Sequence, residues 1–293
     1  MLDFSLHPVH PSLQRFISAY CIMHLNQDEA LRTLFTGKTD SVLLFNIGCS
    51  PNNISISYDL LNNPQKSFTF YNHQAWLGGM INQPLGSIMS GNTHVLCVIL
   101  TPFGLYHLLK ESSTSVLNAG YSLETLGLQV HFEYLIDKLQ QTQSNTHALQ
   151  LVENHLLHYF NHLDIPFSVK DMSRVINYIT ERNGIVQVKQ LEDKFGISSR
   201  WLEKQFVAQV GVSPKEFARI KRFTAILGQA TMSPRKVTKT ASAVSWGTLL
   251  NEFGYHDHSH LIKDFKQFTG QTPAQYLKNT PHGINNIFLK SLG

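Results

Sequence analysis

The chain has 293 residues and a mass of 33.2 kDa, which is long for one domain and sufficient for two. Hydrophobic residues make up 42% of it, so wholesale disorder is excluded. Only 15% of the residues are charged, below the roughly 25% of an average soluble protein. No apolar run approaches the 18 or so residues of a membrane span, and the N-terminus has no signal-peptide pattern.

Cysteine usage and catalytic motifs exclude further classes. Cys21, Cys49 and Cys97 are widely spaced and form no CxxC pair, a pattern of neither a disulfide framework nor a zinc site. The sequence contains no GxSxG, GxGxxG or GxxxxGK[ST] motif. We therefore expect a cytoplasmic, reduced protein without metal, cofactor or enzymatic activity.

The net charge of +4 is unevenly distributed. Residues 1–167 carry six Lys and Arg against eleven Asp and Glu, a net charge of −5. Residues 168–280 carry seventeen against nine, a net charge of +8. A basic half joined to an acidic half indicates one domain for a polyanion and another for a different task. Ordinary variation of surface charge is the alternative.

The first hundred residues have the pattern of β-strands. Residues 41–48 form an apolar run, and Ile54, Ile56 and Tyr58 alternate with polar residues. Turns rich in Asn, Gly and Pro separate these runs. Several short strands at this spacing predict a small, cupin-like barrel or a sandwich.

The pattern becomes helical from about Phe103 and continues over residues 123–143 and 146–163. The stretch 161–167, which contains Pro166, is the best candidate for a linker. The predicted fold class is α+β. Its predicted parts are a β-rich effector or dimerisation domain with flanking helices (1–163), an all-helical domain (164–280) and a tail (281–293). The sequence leaves open whether the tail packs back on the protein.

Aromatic residues of the β-rich domain are candidates for an effector pocket, because such pockets are lined mainly by apolar and aromatic side chains. We single out Phe45, Tyr71 and Trp76. Aromatic residues at strand spacing are also typical of an ordinary core, and this alternative stays open.

The helical half contains an internal repeat with an offset of 59 residues. The pattern L-x3-F-x4-G-x-[ST]-P-x2-[FY] begins at Leu202 and again at Leu261. A short amphipathic helix ending in Phe-Gly precedes each copy, at residues 188–195 and 246–253. A helix, a tight glycine turn and a second helix make up the helix-turn-helix unit.

The second helix of each copy has a core face and an outer face. Leu202 and Phe206 lie four residues apart and must face the core. The outer face can enter a major groove of DNA, where Arg and Lys read guanine or bind phosphate. We predict DNA contacts for Ser199, Arg200, Glu203 and Lys204, for His258, Ser259, Ile262 and Lys263, and for Lys215 near a helix N-terminus. The alternative is a solvated surface, on which Glu203 only holds its basic neighbours.

Residues 186–280 resemble the DNA-binding domain of AraC/XylS-type transcription regulators. The resemblance rests on GISSRWLEKQFVAQVGVSPKEFARIKRF and, more specifically, on FGYHDHSHLIKDFKQFTGQTPAQY. It implies two helix-turn-helix motifs bridged by a long helix at about residues 214–227. Recognition helices at 199–209 and 257–268 would read successive major-groove segments, roughly 34 Å apart. The N-terminal part looks more loosely like the small β effector or dimerisation domain of such regulators.

Two positions depart from the family pattern. Four residues before each turn glycine the family usually has a small alanine, whereas this chain has Glu192 and Leu250. We expect Glu192 to be partly exposed or paired. Leu250 is expected to push its two helices apart.

Two groups of histidines are candidate metal or pH sites. In residues 256–260, Asp257 is better explained as a helix N-cap than as a metal ligand, so we predict no metal there. His155, His158 and His162 share one side of a predicted helix, opposite an apolar stripe. Metal binding or pH sensing by these three and a simply solvated face both stay open.

These patterns predict a sequence-specific DNA-binding transcription regulator controlled by a small effector in the N-terminal domain. Its expected partners are double-stranded promoter or operator DNA, a small-molecule effector, a second copy of the chain and, for an activator, RNA polymerase, with no membrane. The alternative is a ligand-binding module whose helical half docks a protein partner without binding DNA. Salt separates the two, because phosphate binding weakens steeply with salt.

Overall fold

The computed structural model describes residues 2–25, 31–35, 37–47, 52–57, 66–71, 74–90, 93–163, 167–232 and 246–279. Within these ranges the N-terminal part is mainly β and the C-terminal part is helical, so the predicted α+β class is confirmed. The predicted tail lies outside the described residues, as does the centre of the predicted linker at residues 164–166.

The described strands form two antiparallel sheets. They are Leu2–His7 (β1), Ile17–Leu25 (β2), Leu31–Phe35 (β3), Ser41–Asn46 (β4), Asn52–Ser57 (β5), Lys66–Phe70 (β6), Ala75–Gly78 (β7), Leu85–Ser90 (β8), Thr93–Leu100 (β9) and Gly120–Ser122 (β10). A six-stranded sheet has the order β1-β2-β9-β4-β7-β10, and a four-stranded sheet has the order β3-β8-β5-β6. Pairing between early and late strands, such as β2 with β9, ties distant segments together.

Three helices follow the sheets, at Pro102–Leu109 (α1), Gln129–Gln140 (α2) and Asn145–Asn161 (α3). Thr101 begins α1, since its Oγ1 accepts a hydrogen bond from the Gly104 amide at 3.0 Å. Helix α2 begins later than the predicted residue 123. The Leu123 amide instead donates to the Ala75 carbonyl at 3.0 Å, and Gly127 has a left-handed φ of +68°.

The six-stranded sheet buries side chains on both of its faces. Phe45 belongs to the core shared with α1, α2 and α3, together with Leu43. Cys21 and Cys97 are register partners on β2 and β9 and lie in a second cluster on the opposite face. Both are free, buried thiols, and burial raises the pKa of Cys21 to about 11.

The C-terminal helices follow the predicted order closely. They are Phe167–Glu181 (α4), Val188–Phe195 (α5), Ser199–Val210 (α6), Pro214–Met232 (α7), Trp246–Glu252 (α8), His258–Thr269 (α9) and Pro273–Asn279 (α10). Their apolar faces form one core, which includes Leu202, Phe206, Leu261 and Phe265. The bridging helix α7 is longer than the predicted 214–227.

The N-terminal part packs directly on this helical core. Met80, which follows β7, is 2% exposed and belongs to the C-terminal cluster. Ser113 donates a buried hydrogen bond from Oγ to the Gln209 carbonyl at the end of α6, at 2.8 Å. Thr224 of α7 donates to the Gly37 carbonyl at 3.0 Å. The first recognition helix and the bridging helix are therefore both attached to the N-terminal part.

Gly184 lets the loop after α4 press against α7. Its φ is +74°, and a Cβ built on it would lie 1.9 Å from the Ala218 carbonyl oxygen. Gly196, in the turn between α5 and α6, has a similar φ of +64°, but nothing lies within 4 Å of its Cβ position. An alanine at either position would have a strained backbone, but only an alanine at Gly184 would also overlap with other atoms.

We expect Gly184→Ala to lower the free energy of unfolding by at least about 2 kcal/mol, because strain and overlap act together. Gly196→Ala is the matched control and should cost only about 1 kcal/mol, the penalty of a left-handed alanine. Urea denaturation of both variants measures the difference. Equal losses would show that the loop does not rest tightly on α7.

Candidate DNA-recognition surface

The first helix-turn-helix motif consists of α5, a turn and α6. Gly196 supplies the left-handed residue of the turn, with a φ of +64°. Ser198 caps α6, since its Oγ accepts a hydrogen bond from the Trp201 amide at 3.3 Å. Leu202 and Phe206 are fully buried, as their spacing predicts. The opposite side of α6 therefore faces away from the core.

That outer side carries the residues predicted to contact DNA. Ser199, Arg200, Glu203 and Lys204 are all exposed. Lys215 is exposed as well, in the first turn of α7, where the Ser213 Oγ accepts a hydrogen bond from the Glu216 amide at 3.1 Å. This surface combines three basic side chains, one carboxylate and the N-terminus of a helix. Its excess of positive charge is suited to binding a polyanion.

Glu192 connects the two helices of the first motif. Its Oε1 accepts a hydrogen bond from the Ser199 amide at 2.7 Å, across the turn. Hydrogen bonds from the Ser199 side chain and from the Ser199 amide lower the pKa of the Glu192 carboxyl below its usual 4.5. The expectation that this glutamate is exposed or paired is thus confirmed, and the carboxylate acts as a second cap at the N-terminus of the recognition helix.

The second motif consists of α8, a turn at Gly254 and α9. Asp257 is the N-cap of α9, with Oδ1 accepting from the His260 amide at 2.8 Å. This confirms its predicted capping role. Leu250 is buried in the C-terminal core, and its carbonyl accepts a hydrogen bond from the Tyr255 amide at 2.8 Å. The residues predicted to contact DNA from this motif, His258, Ser259, Ile262 and Lys263, are all exposed.

A buried carboxylate joins the second recognition helix to α7. Asp264 has no exposed surface, and its Oδ1 accepts a hydrogen bond from the Arg219 Nη2 at 2.5 Å. The Arg222 Nη2 lies 4.0 Å from its Oδ2, which also accepts a hydrogen bond from the Tyr255 hydroxyl at 3.0 Å. Burial and the neighbouring carboxylate raise the pKa of Tyr255, so the phenol stays a neutral donor.

One feature of the sequence points to this cluster, although the hydrophobic periodicity does not reveal it. Asp264 occupies a position three residues after Leu261 and directly before Phe265, within the buried stripe of α9. A charged residue on a buried stripe requires a partner of opposite charge. Periodicity does not identify that partner, because Arg219 lies 45 residues earlier in the chain.

The structure does not join the candidate histidines into a metal site. His155 is partly buried and its ring packs on Phe132 at 5.0 Å, whereas His158 and His162 are exposed with ring centroids 4.3 Å apart. The prediction that all three histidines lie opposite the apolar stripe is therefore wrong for His155. In the described part of the chain, no three His, Cys, Asp or Glu side chains are grouped to hold a metal.

The three candidate effector residues occupy different environments. Phe45 is 1% exposed in the core between sheet and helices, where its ring lies 6.1 Å from that of Phe132. Trp76 packs on the other face of the same sheet, with the cysteine cluster. Tyr71 is 52% exposed. Their positions do not define a common pocket within the described residues.

Comparison with known proteins supports this reading of the C-terminal half. A family model for a helix-turn-helix domain matches residues 191–279. No curated protein sequence matches the chain significantly. Two such motifs joined by a long helix define a DNA-binding domain of transcription regulators. Residues 191–279 match a helix-turn-helix domain, which agrees with the AraC/XylS-type resemblance of residues 186–280.

Several solved structures resemble the chain loosely. ToxT from Vibrio cholerae O395 shares 12% identity, with 88% of this chain and 95% of that chain covered and a TM-score of 0.43. Unsaturated fatty acid bound wild-type ToxT from Vibrio cholerae strain SCE256 shares 14% identity, with 86% and 96% covered and a TM-score of 0.41. The AraC-like transcriptional activator CuxR shares 12% identity, with 76% and 86% covered and a TM-score of 0.24.

The Glu192 hydrogen bond predicts a pH-dependent contribution to stability. Because the folded pKa is lowered, wild type should gain stability over Glu192→Gln above pH 4.5, and lose this advantage as the pH falls through the folded pKa. Unfolding free energies of both proteins between pH 3 and pH 7 measure this difference. A difference that does not change with pH would contradict the bond to the Ser199 amide.

The Asp264 cluster predicts a larger effect. Asp264→Ala should lower the free energy of unfolding by about 3 kcal/mol, because it leaves two partly buried guanidinium groups without their carboxylate. Asp193→Ala removes an exposed carboxylate from α5 and should stay within about 0.5 kcal/mol. Urea denaturation compares them. Similar values would mean that the cluster does not hold α9 on α7.

Proposed function

We propose that the protein is a cytoplasmic, sequence-specific DNA-binding transcription regulator and not an enzyme. Helices α6 and α9 would enter two successive major grooves of a promoter or operator. The proposal rests on one observation, the duplicated helix-turn-helix motif. In each copy a Leu and a Phe anchor the recognition helix in the core, while every residue predicted to contact DNA is exposed.

The two recognition helices would read different features of DNA. The first presents Arg200 and Lys204, which can donate to guanine or to phosphate, beside Glu203, which can accept from cytosine N4. The second presents Lys263 with the apolar Ile262, 37% exposed, which suits contact with a thymine methyl group. The two half-sites should therefore differ in sequence, as expected for two unequal motifs in one chain.

The N-terminal part, residues 1–163, would bind a small effector, form a homodimer, or do both. Its contacts with the DNA-binding half support a regulatory role. The Asn82 Nδ2 donates to the Glu216 Oε1 of α7 at 3.2 Å, and the Lys221 Nζ lies 3.9 Å from the Asp40 Oδ2. A change in the N-terminal part would thus reach α7 directly. In an activator, the exposed surface of this assembly would also meet RNA polymerase.

None of the described helices is both long and apolar enough to cross a bilayer. The competing function is a ligand-binding module whose helical half docks a protein. Its favourable observation is the exposed apolar Ile262 on α9. Such an interface would carry little of the salt dependence that phosphate contacts impose.

The direct test is fluorescence anisotropy on a duplex from the region upstream of the protein's own gene, and on a scrambled duplex of equal length, at several salt concentrations. Wild type should bind the native duplex more tightly. Lys204→Ala or Lys263→Ala should weaken that binding by about 1–3 kcal/mol where the lysine contacts a base. An equal loss on both duplexes would assign that lysine to a phosphate instead.

Lys138→Ala removes a lysine from α2 in the N-terminal part and serves as the control, with no expected change. Absence of binding to both duplexes by the folded wild-type protein, with salt-independent capture of a protein partner, would favour the competing function. Binding without preference for the native duplex would remove the claim of sequence specificity.

A further inference from the structure

A groove lies between the two helix-turn-helix motifs. It encloses a volume of about 340 Å³. One wall is the loop after α4 with the start of α5, including Gln187 and Val188. The other wall is the first half of α7, and His260 of the second recognition helix also lines the groove. We call it the inter-motif groove. It reaches from the first motif to the first turn of α9.

Helix α7 turns a basic stripe toward this groove. Lys215, Arg219 and Arg222 line it, at the i, i+4 and i+7 spacing of one helix face. The side of α7 that meets the N-terminal part carries other residues, among them Lys221 and Thr224. One face of α7 therefore contacts the N-terminal part, and the basic face lines the space between the two motifs.

The groove keeps a surplus of positive charge. Asp264 is the carboxylate held against Arg219 and Arg222, and Lys215 is exposed. Within the described part of the chain, the hydrogen bonds of Arg219 to Asp264 and Gln267 both use Nη2. Its Nη1 and Nε therefore remain available, and 27% of the side chain is exposed. The carboxylate holds this guanidinium in place without using all of its donors.

DNA bound by both recognition helices must pass across this groove. Two helices in successive major grooves lie roughly 34 Å apart on one face of the duplex. The minor groove between them, with its flanking phosphates, then faces whatever lies between the two motifs. In this protein that is the inter-motif groove and its basic stripe.

We propose that the inter-motif groove binds the backbone phosphates between the two major-groove segments, through Lys215 and Arg219. This inference rests on the proposed DNA-binding function. Asp264 acts as a positioning residue, because its carboxylate holds Arg219 against α9. Arg222 pairs with the other oxygen of the same carboxylate, and neither residue meets the phosphate itself. Such contacts carry no sequence information but set the register of both recognition helices on the duplex.

The test is the salt dependence of DNA binding by Lys215→Gln and Arg219→Gln. Each lost phosphate contact should reduce the slope of log K against log salt by about 1, equally on native and scrambled duplexes. Arg219→Lys should retain most of the slope, since it keeps the charge. Lys221→Gln is the matched control, a lysine of the same helix on the face toward the N-terminal part, and should leave the slope unchanged.

A second arm locates the contact on the DNA. Uncharged methylphosphonate linkages replace the phosphates midway between the half-sites of the native duplex. Wild type should lose affinity on this duplex, whereas Arg219→Gln should lose little more, because its contact is already absent. Methylphosphonates outside the half-sites should weaken both proteins equally. Because Lys215 is exposed, its variant tests the groove even where an Arg219 variant folds poorly.

The outcomes separate the groove from the function on which it depends. Failure of wild type to bind either duplex would overturn the proposed function. Tight binding that depends on Lys204 or Lys263, with slopes unchanged in both groove variants, would overturn the groove alone. Binding of inorganic phosphate that is lost in Arg219→Gln, together with unchanged salt slopes on DNA, would assign the groove to a free anion and also overturn the proposal.

Discussion

A carboxylate without exposed surface, Asp264, determines how the two halves of the DNA-binding domain meet. Burial of a charge is costly unless the charge is paired and hydrogen-bonded. Arg219 and Arg222 on α7 and the Tyr255 hydroxyl provide that pairing. Because the donors lie on the bridging helix and the acceptor on the second recognition helix, the orientation of one constrains the other. Apolar packing alone would allow these helices to slide more easily, since it is not directional.

The two motifs have the same order of helix, turn and helix, but different contacts hold their recognition helices in place. The residue of the first copy that aligns with Asp264 is Gln205, which accepts a hydrogen bond from Gln209 on its own helix. The first recognition helix is held instead at its far end, where the Gln209 carbonyl accepts from Ser113 of the N-terminal part. The ion pairs of Asp264 thus attach the second motif to α7. A buried, neutral hydrogen bond attaches the first motif to the N-terminal part.

This division has a consequence for control of DNA binding. A small movement of the segment around Ser113 would act first on α6, and one around Asp40 or Gly37 would act on α7. The second recognition helix would follow α7 through Asp264. The distance between the recognition helices is the quantity that such movements change, and a duplex with fixed groove spacing is sensitive to that distance. Regulation then needs only small changes at the contact between the two parts.

Sequence periodicity by itself determined the class of fold, the two motifs and the exposed faces of their recognition helices. These features are local, because Leu202 and Phe206 or Asp257 and His260 interact within a turn or two of one helix. The internal repeat identified the second motif, because its residues align with those of the first. Only the tertiary structure decided which partners meet across the chain. Arg219 with Asp264, Ser113 with Gln209, and the separation of Phe45 from Trp76 by a sheet depend on three-dimensional packing, which no spacing along the sequence encodes.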